Sequence, residues 1–143
     1  TAFIPMLMDT GGNSGSQACV SIIRGISLNE IEFRDLGRVV WKEIRVSVLC
    51  GVCLAVACFA KIVVVDMLLL KSESVTYLVA FVVCATMAVT VCLAKIVGST
   101  LPLLAKKLGF DPAVMASPII TTIVDFLSLL VYFAFATAIL GIG

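Results

Sequence analysis

A glycine- and amide-rich segment and a lone carboxylate are the residues of this chain with the clearest chemistry. The segment from Pro5 to Gln17, PMLMDTGGNSGSQ, interrupts an apolar stretch, and Asp125 is the only charged residue of a second one. Irregular backbone at membrane depth must be covered by protein or line a wet cavity, because hydrocarbon cannot satisfy its N–H and C=O groups. A carboxylate at that depth is costly and is therefore a functional candidate. The two features predict a path for a cation.

The last apolar segment carries a polar stripe. At 100° per residue, Pro118, Thr121, Asp125 and Ser128 fall on one narrow helical face, and Ser117 flanks it. The hydroxyls alone are typical of interhelical hydrogen bonds in membrane bundles. A carboxylate with no basic residue in its helix needs a cation, a proton or water. We therefore expect Asp125 and Thr121 to contact a metal ion, with the other three residues lining a pore.

The glycine-rich segment offers oxygen ligands of a different type. A break there would open the backbone carbonyls of Gly11, Gly12 and Gly15, and Asn13 and Gln17 add amide oxygens four residues apart. Helix packing is the alternative, because Gly11 and Gly15 have small-xxx-small spacing. The two amides favour function. We predict that Gly11, Gly12 and Asn13 contact the ion and that Gly15 and Gln17 line its path.

The ligand types indicate a hard cation. The chain has no His, and the candidate ligands are all oxygens. Mg²⁺ exchanges its waters reluctantly and takes few direct carboxylates, so a largely hydrated Mg²⁺ would suit such a site doubled across a dimer axis. Mn²⁺ or Ca²⁺ would fit the same ligands. No catalytic residue and no organic cofactor is predicted. Asp9 is either a second pore acid or part of a wetted rim.

Composition places the chain in a membrane. Hydrophobic residues make up 62% and charged residues 13% of the 143 residues, too apolar for a soluble domain. That length holds about four spans of roughly 20 residues. A net charge of +1 gives no sign of nucleic-acid binding, and none is predicted. The six cysteines, all in apolar surroundings, are expected to be small packing residues rather than disulfide partners.

An all-α, polytopic helical bundle is the predicted fold. Ser27 and Glu30 fit a capping box for an amphipathic helix, Gly109 is a helix stop, and Asp111 and Pro112 suit a helix start. Lys61 and Asp66, five residues apart, are not ideally placed for one another and receive no role. The predicted segments are a broken membrane helix at 1–23, a cytoplasmic surface helix at 28–43, and membrane helices at 44–70, 75–104 and 112–140.

Basic residues set the orientation. The positive-inside rule makes the basic side cytoplasmic and the C-terminus external, in a multi-pass protein of the inner (plasma) membrane. The chain opens at Thr1 and reads as a piece of a longer protein. The residues on the basic side are Arg24, Arg34, Arg38, Lys42, Arg45, Lys106 and Lys107.

Several motifs together resemble the membrane domain of the MgtE family of magnesium channels. They are the Gly-Gly-Asn-x-Gly-x-Gln core within Pro5 to Gln17, the LPLL run from Leu101, the LGFDP run ending at Pro112, and SPIITTIVD ending at Asp125. They span nearly the whole chain in the family's order and spacing.

The resemblance implies a homodimer with five membrane helices per subunit, the first of which is missing here. Its pore is lined by the second and fifth helices, which correspond to the Pro5–Gln17 segment and the Asp125 helix. The aspartate at the Asp125 position is then the main pore acid, facing hydrated Mg²⁺. Cytoplasmic N and CBS domains of the full-length protein, absent from this chain, sense Mg²⁺ and close the pore.

The prediction is therefore a pore domain that passes Mg²⁺, and not an enzyme. A secondary transporter exchanging a divalent cation for Na⁺ or H⁺ is the main alternative, because broken helices also mark transporters. An intramembrane aspartyl protease using Asp9 and Asp125 lacks the Gly-x-Gly-Asp motif around both acids. A structural anchor for cytoplasmic domains is the remaining alternative.

Overall fold

The computed structural model describes residues 3–70, 76–115 and 118–141, and regular structure in these ranges is entirely helical. The all-α bundle predicted from the sequence is confirmed. Short 3₁₀ helices precede α2 and α4, and a π-helix continues α2. The elements are α1 (Ile4–Ser27), a 3₁₀ turn (Phe33–Asp35), α2 (Leu36–Lys61), a π-helix (Ile62–Leu69), α3 (Tyr77–Lys107), a second 3₁₀ turn (Pro112–Met115) and α4 (Pro118–Leu140).

Within the described residues, three helical stretches are long and apolar enough to cross a membrane: Phe33–Asp66, Tyr77–Lys107 and Pro118–Leu140. The remaining helix, α1, has 24 residues and is about 36 Å long, which also exceeds the hydrocarbon thickness. Its glycines, amides and hydroxyls make it more polar than the other three. A membrane helix of this composition requires neighbours that cover its polar groups.

The structure corrects the predicted break near the N-terminus. Helix α1 runs without interruption from Ile4 to Ser27, so carbonyls in its interior accept amide hydrogen bonds within the helix. Glycine is a poor helix former in isolation. Here Gly11 and Gly15 are buried against α3 and α4, and such tertiary packing stabilises a helix that propensity alone would not.

The predicted surface helix at 28–43 also begins later than expected. Asn29 adopts a left-handed φ of 57°, and the Glu30 amide donates to the Gly25 carbonyl at 2.9 Å, which ends α1 in a Schellman turn. The Ser27 hydroxyl donates back to the Ile23 carbonyl instead of capping a new helix. A capping box of Glu32 and Asp35 precedes α2, and α2 then continues unbroken past residue 43.

The end of α3 agrees with the prediction. Gly109 has a φ of 83°, and the Phe110 amide donates to the Ala105 carbonyl at 2.9 Å. The Asp111 carboxylate accepts from the Ala113 amide at 2.9 Å. The cap therefore opens the second 3₁₀ turn, and α4 itself begins only at Pro118.

Helix α3 lies in the middle of the bundle and contacts α1, α2 and α4. Its closest neighbour is α1, because Gly98 faces the backbone of Gly15 with no side chain between them. On the other side, a Cβ atom placed on Gly51 would lie 3.3 Å from the Ala88 carbonyl oxygen. Small residues thus allow both α1 and α2 to approach α3 closely.

The π-helix brings together Lys61 and Asp66, which the sequence spacing predicted to be poorly placed for one another. The Lys61 ammonium lies 2.8 Å from the Asp66 carboxylate. A π-helix bonds residue i to residue i+5, so residues five apart come into register, which they do not in an α-helix. The expectation that these two residues are poorly placed for each other was therefore wrong.

Candidate functional site

The candidate site lies where α1 crosses α4. A Cβ atom placed on Gly12 would lie 3.7 Å from the Asp125 Oδ1 and 3.5 Å from the Thr121 Cγ2. Because glycine has no Cβ, no side chain from this position separates the α1 backbone from the carboxylate. Asp125 and Thr121 are both half-buried, and the Thr121 hydroxyl donates to the Pro118 carbonyl at 3.1 Å. Three residues predicted to contact the ion therefore meet in space.

A second carboxylate lies close to this centre. Asp9 lies three residues before Gly12 on α1, so helical geometry places it one turn from the position that faces Asp125. The Asn13 side-chain amide donates to the Asp9 Oδ2 at 3.2 Å, so its carbonyl oxygen is turned outward from that bond. Sequence reasoning left Asp9 as either a second pore acid or part of a wetted rim, and the structure places it on the exposed side of α1, one turn from Gly12.

Asp9, Asn13 and Gln17 form a continuous polar stripe on the exposed side of α1. Helical geometry places Gly12 on one flank of this stripe, toward α4 and Asp125. Thr10 and Ser14 lie on the opposite flank, where they border a cleft shared with α2 and α3. The α1 polar stripe thus runs along the outside of the bundle, next to the glycine that faces Asp125.

Three other predicted site residues lie in helix packing instead. A Cβ atom on Gly11 would lie 2.9 Å from the Ser128 Oγ, and one on Gly15 would lie 3.1 Å from both Ile120 and Val124. Ser128 is 1% exposed, and its hydroxyl donates to the Val124 carbonyl at 2.7 Å. The structure therefore places Gly11, Gly15 and Ser128 inside the α1–α3–α4 contact, because α4 turns the face of Ile120, Val124 and Ser128 inward.

Ser117 and Pro118 form the N-terminal end of the polar stripe predicted on the last helix. Pro118 is exposed at the first residue of α4. Ser117, predicted to line the pore, lies outside the described residues. The α4 part of the candidate site therefore consists of Thr121 and Asp125.

Sequence reasoning missed a charged pair inside the bundle. Lys95 of α3 is 9% exposed and Glu43 of α2 is 7% exposed, and the Lys95 Nζ lies 3.8 Å from the Glu43 Oε2. The signal that could have found them is a basic residue in the middle of an apolar helix, which requires a partner. Glu43 had been assigned to the cytoplasmic surface helix.

Within residues 3–70, 76–115 and 118–141, no group of three or more His, Cys, Asp or Glu side chains is arranged to bind a metal ion directly. All six cysteines are free thiols. The candidate site instead offers carboxylate, hydroxyl and amide oxygens, which are the ligands of hard cations and of their bound waters.

Comparison with known families decides the family of this chain. The sequence profile of MgtE, described as a divalent cation transporter, matches residues 4–135. The chain belongs to the MgtE family. This confirms the resemblance, and the family consists of transporters, in agreement with the prediction that the chain is not an enzyme.

Curated MgtE relatives match nearly the whole chain. The magnesium transporter MgtE of Bacillus subtilis is 34% identical over 136 residues, covering 95% of this chain and 28% of the relative. That of Thermus thermophilus is 33% identical over 138 residues, covering 96% and 29%. That of Enterococcus faecalis is 31% identical over 135 residues, covering 94% and 28%. The chain thus spans less than a third of the length of these relatives.

Proposed function

We propose that this chain is the pore domain of an MgtE-type protein that passes Mg²⁺ in largely hydrated form. The observation that carries the proposal is the meeting of Gly12, Thr121 and Asp125 at the α1–α4 crossing, beside an exposed polar stripe on α1. The three similar proteins are magnesium transporters by name, which favours Mg²⁺ over Mn²⁺ or Ca²⁺ as the transported ion.

The charge arrangement suits attraction of a divalent cation. Asp125 is the only charged residue of α4, and Asp9 adds a second carboxylate one helical turn from Gly12. Two like charges on neighbouring helices attract a counter-ion more strongly than either does alone. A divalent cation near both carboxylates would relieve their mutual repulsion.

The ligand geometry suits a hydrated rather than a dehydrated ion. The side-chain oxygens of Asp125, Thr121 and Asn13 are spread over two helices, and Gly12 has no side chain to cover the α1 backbone between them. Such groups can accept hydrogen bonds from the waters that Mg²⁺ retains. Binding through waters is weak enough for release, which conduction requires.

The exposed stripe favours assembly as a homodimer. Asp9, Asn13 and Gln17 face outward on α1, and lipid would not satisfy a carboxylate and two amides at membrane depth. A second copy related by a two-fold axis would place its own stripe opposite, with water and the ion between them. The path would then contain Asp125 and Asp9 from each subunit.

The basic end of the bundle is proposed to face the cytoplasm. The end of α1, the start of α2 and the end of α3 pack together through Ile22, Val39 and Leu103. The Lys107 ammonium lies 4.0 Å from the centre of the Phe33 ring at this same end. Most exposed basic residues therefore lie at this end, which the positive-inside rule assigns to the cytoplasm, whereas Lys61 lies at the other end of α2. Regulatory N and CBS domains would attach on this side in a full-length protein.

The test is Mg²⁺ uptake into proteoliposomes containing the protein that carries this domain, with no Na⁺ or pH gradient. We expect Asp125→Asn to lower uptake about tenfold or more, since losing roughly 1.4 kcal/mol of electrostatic stabilisation is sufficient for that. Ser128→Ala is the matched control on the same helix. Its hydroxyl is buried and bonded within α4, so uptake should be unchanged.

Each alternative result has a distinct meaning. Uptake by Asp125→Asn equal to that of the native protein would refute the role of this carboxylate. Uptake that appears only with a Na⁺ or proton gradient would favour a cation exchanger over a channel. Absence of uptake under every condition, with both variants folded, would favour a structural anchor.

A further inference from the structure

Lys95 is a buried cation to which the proposed function gives no role. It lies within α3, with nine-tenths of its surface buried, and its ammonium is 3.8 Å from the carboxylate of the equally buried Glu43. Ionisable groups inside a membrane bundle are costly and commonly mark ion pathways. A distance of 3.8 Å satisfies an ion pair but exceeds a hydrogen bond, so the N–H donors of Lys95 are not all committed to Glu43.

Lys95 borders a polar cleft on the α1 polar stripe. The cleft has a volume of about 300 Å³, and among its lining residues Lys95 is the only cation and Asp9 the only anion. It opens on the flank of α1 that faces away from Gly12 and Asp125. Residues of α1 and α2 line it together with Lys95 of α3, and its polar groups come mainly from α1.

The oxygens of this cleft would suit the same ion as the candidate pore. Asp9, Asn13 and Gln17 supply a carboxylate and two amides, and Glu43 lies directly behind Lys95. Carboxylate and amide oxygens are the ligands that Mg²⁺ and Mn²⁺ take. Without the ammonium, the Asp9 carboxylate in the cleft and the Glu43 carboxylate that pairs with Lys95 would both be left uncompensated. An ion held there would leave the path beside Asp125.

We propose that Lys95 is a tethered cation that excludes divalent ions from this cleft and so confines the permeating ion to the Asp125 flank of α1. Its ammonium neutralises Glu43 and repels a second positive charge from the Thr10 and Ser14 side of the α1 polar stripe, whereas Asp9 and Asn13 stay accessible to the ion from the Asp125 side. Lys95 is thus a specificity-determining residue rather than a ligand of the ion. The confinement rests on the proposed function, whereas the exclusion of ions from the cleft can be measured independently of transport.

The test counts bound divalent ions after the tethered charge is removed. Lys95→Met keeps a long, unbranched side chain without the ammonium, and Mn²⁺ serves as the probe because electron paramagnetic resonance detects it. Both proteins compared contain the whole chain that carries this domain and the substitution Asp125→Asn. Binding of Mn²⁺ at the Asp125 site is therefore weakened equally in both. We expect one additional Mn²⁺ per subunit compared with Asp125→Asn alone.

A matched double variant separates the new site from a general disturbance. Adding Glu43→Gln to Lys95→Met removes one of the two carboxylates, and the additional Mn²⁺ should disappear. In thermal unfolding, saturating Mg²⁺ should raise the midpoint of Lys95→Met by about 5 °C more than that of the double variant, because a ligand stabilises only the form that binds it. A purely structural role for Lys95 would predict no such Mg²⁺-dependent difference.

A folded Lys95→Met protein with no additional Mn²⁺ would overturn the proposal. If that variant does not fold, Lys95→Gln removes the charge while keeping a hydrogen-bond donor for Glu43, and the same count decides. The two proposals fail separately. Unchanged uptake in Asp125→Asn would refute the pore assignment without affecting the Mn²⁺ count, and an unchanged count would leave the uptake result standing.

Discussion

The contact between Gly98 and Gly15 offers a sharp test of how α1 is positioned. In the structure, a Cβ atom on Gly98 would overlap the carbonyl oxygen of Gly15 and would lie 3.1 Å from its Cα. The obstacle is backbone, so no side-chain rotation can relieve it. Gly98→Ala must therefore push α1 away from α3. Because Gly12 lies on the same helix, the push would also change its distance from Asp125.

The magnitude follows from two opposing effects. Overpacking of a close contact costs typically about 1–3 kcal/mol, and a collision with backbone belongs at the upper end of that range. Alanine returns about 1 kcal/mol through its higher helix propensity. We therefore expect Gly98→Ala to lower the free energy of unfolding by about 2 kcal/mol. For a domain of this size, that corresponds to a decrease of about 4–8 °C in the unfolding midpoint.

Thermal unfolding in detergent micelles, followed by circular dichroism, measures this effect, and proteoliposome uptake of Mg²⁺ measures its consequence for the site. Gly37→Ala is the matched control, because Gly37 is exposed in the first turn of α2 with nothing within 4 Å of its added Cβ. Its midpoint should be unchanged or slightly higher. Equal midpoints for Gly98→Ala and the native protein would refute the close approach of α1 and α3.

Two further substitutions test contacts on either side of the bundle. Gly12→Ala should fold normally, because its Cβ would make ordinary contacts with Thr121 and Asp125 at 3.5 and 3.7 Å. It should nevertheless lower Mg²⁺ uptake about fivefold, the equivalent of roughly 1 kcal/mol, and native uptake would contradict the placement of Gly12. Lys61→Met breaks the 2.8 Å ion pair with Asp66, in which the Lys61 side chain is 45% exposed and the Asp66 side chain 15% exposed. Thermal unfolding should therefore show that the free energy of unfolding falls by less than about 1 kcal/mol. Adding Asp66→Asn should then cost little more, and an additive second loss would mean that the two residues do not interact.

Local sequence signals predicted several features correctly. Gly109 ends α3 in a left-handed conformation, as expected of a glycine after an apolar helix. The apolar runs predicted membrane helices at 75–104 and 112–140, and the structure has helices at Tyr77–Lys107 and Pro118–Leu140. The assignment of Asp125 to an ion site remains a prediction, which the uptake experiment tests. Each of these signals depends on a residue and its near neighbours in the chain.

Other features depended on competition between distant segments. The glycines of α1 suggested a break, but burial against α3 and α4 keeps the helix continuous. Ser27 and Glu30 matched a helix start, yet the left-handed Asn29 between them ends α1 first. Lys95 and Glu43 are far apart in the chain, so no local pattern pairs them.

The sequence by itself determined that the chain is an all-α membrane bundle with an intramembrane acid, because apolar length and the cost of a buried charge are properties of the residues themselves. Only the tertiary structure decided which faces of α1 and α4 meet. Ser128 shares the predicted stripe with Asp125, but the rotation of α4 buries the serine and leaves the carboxylate beside Gly12. That rotation is set by the combined packing of α1, α3 and α4, which the periodicity of any single helix does not contain.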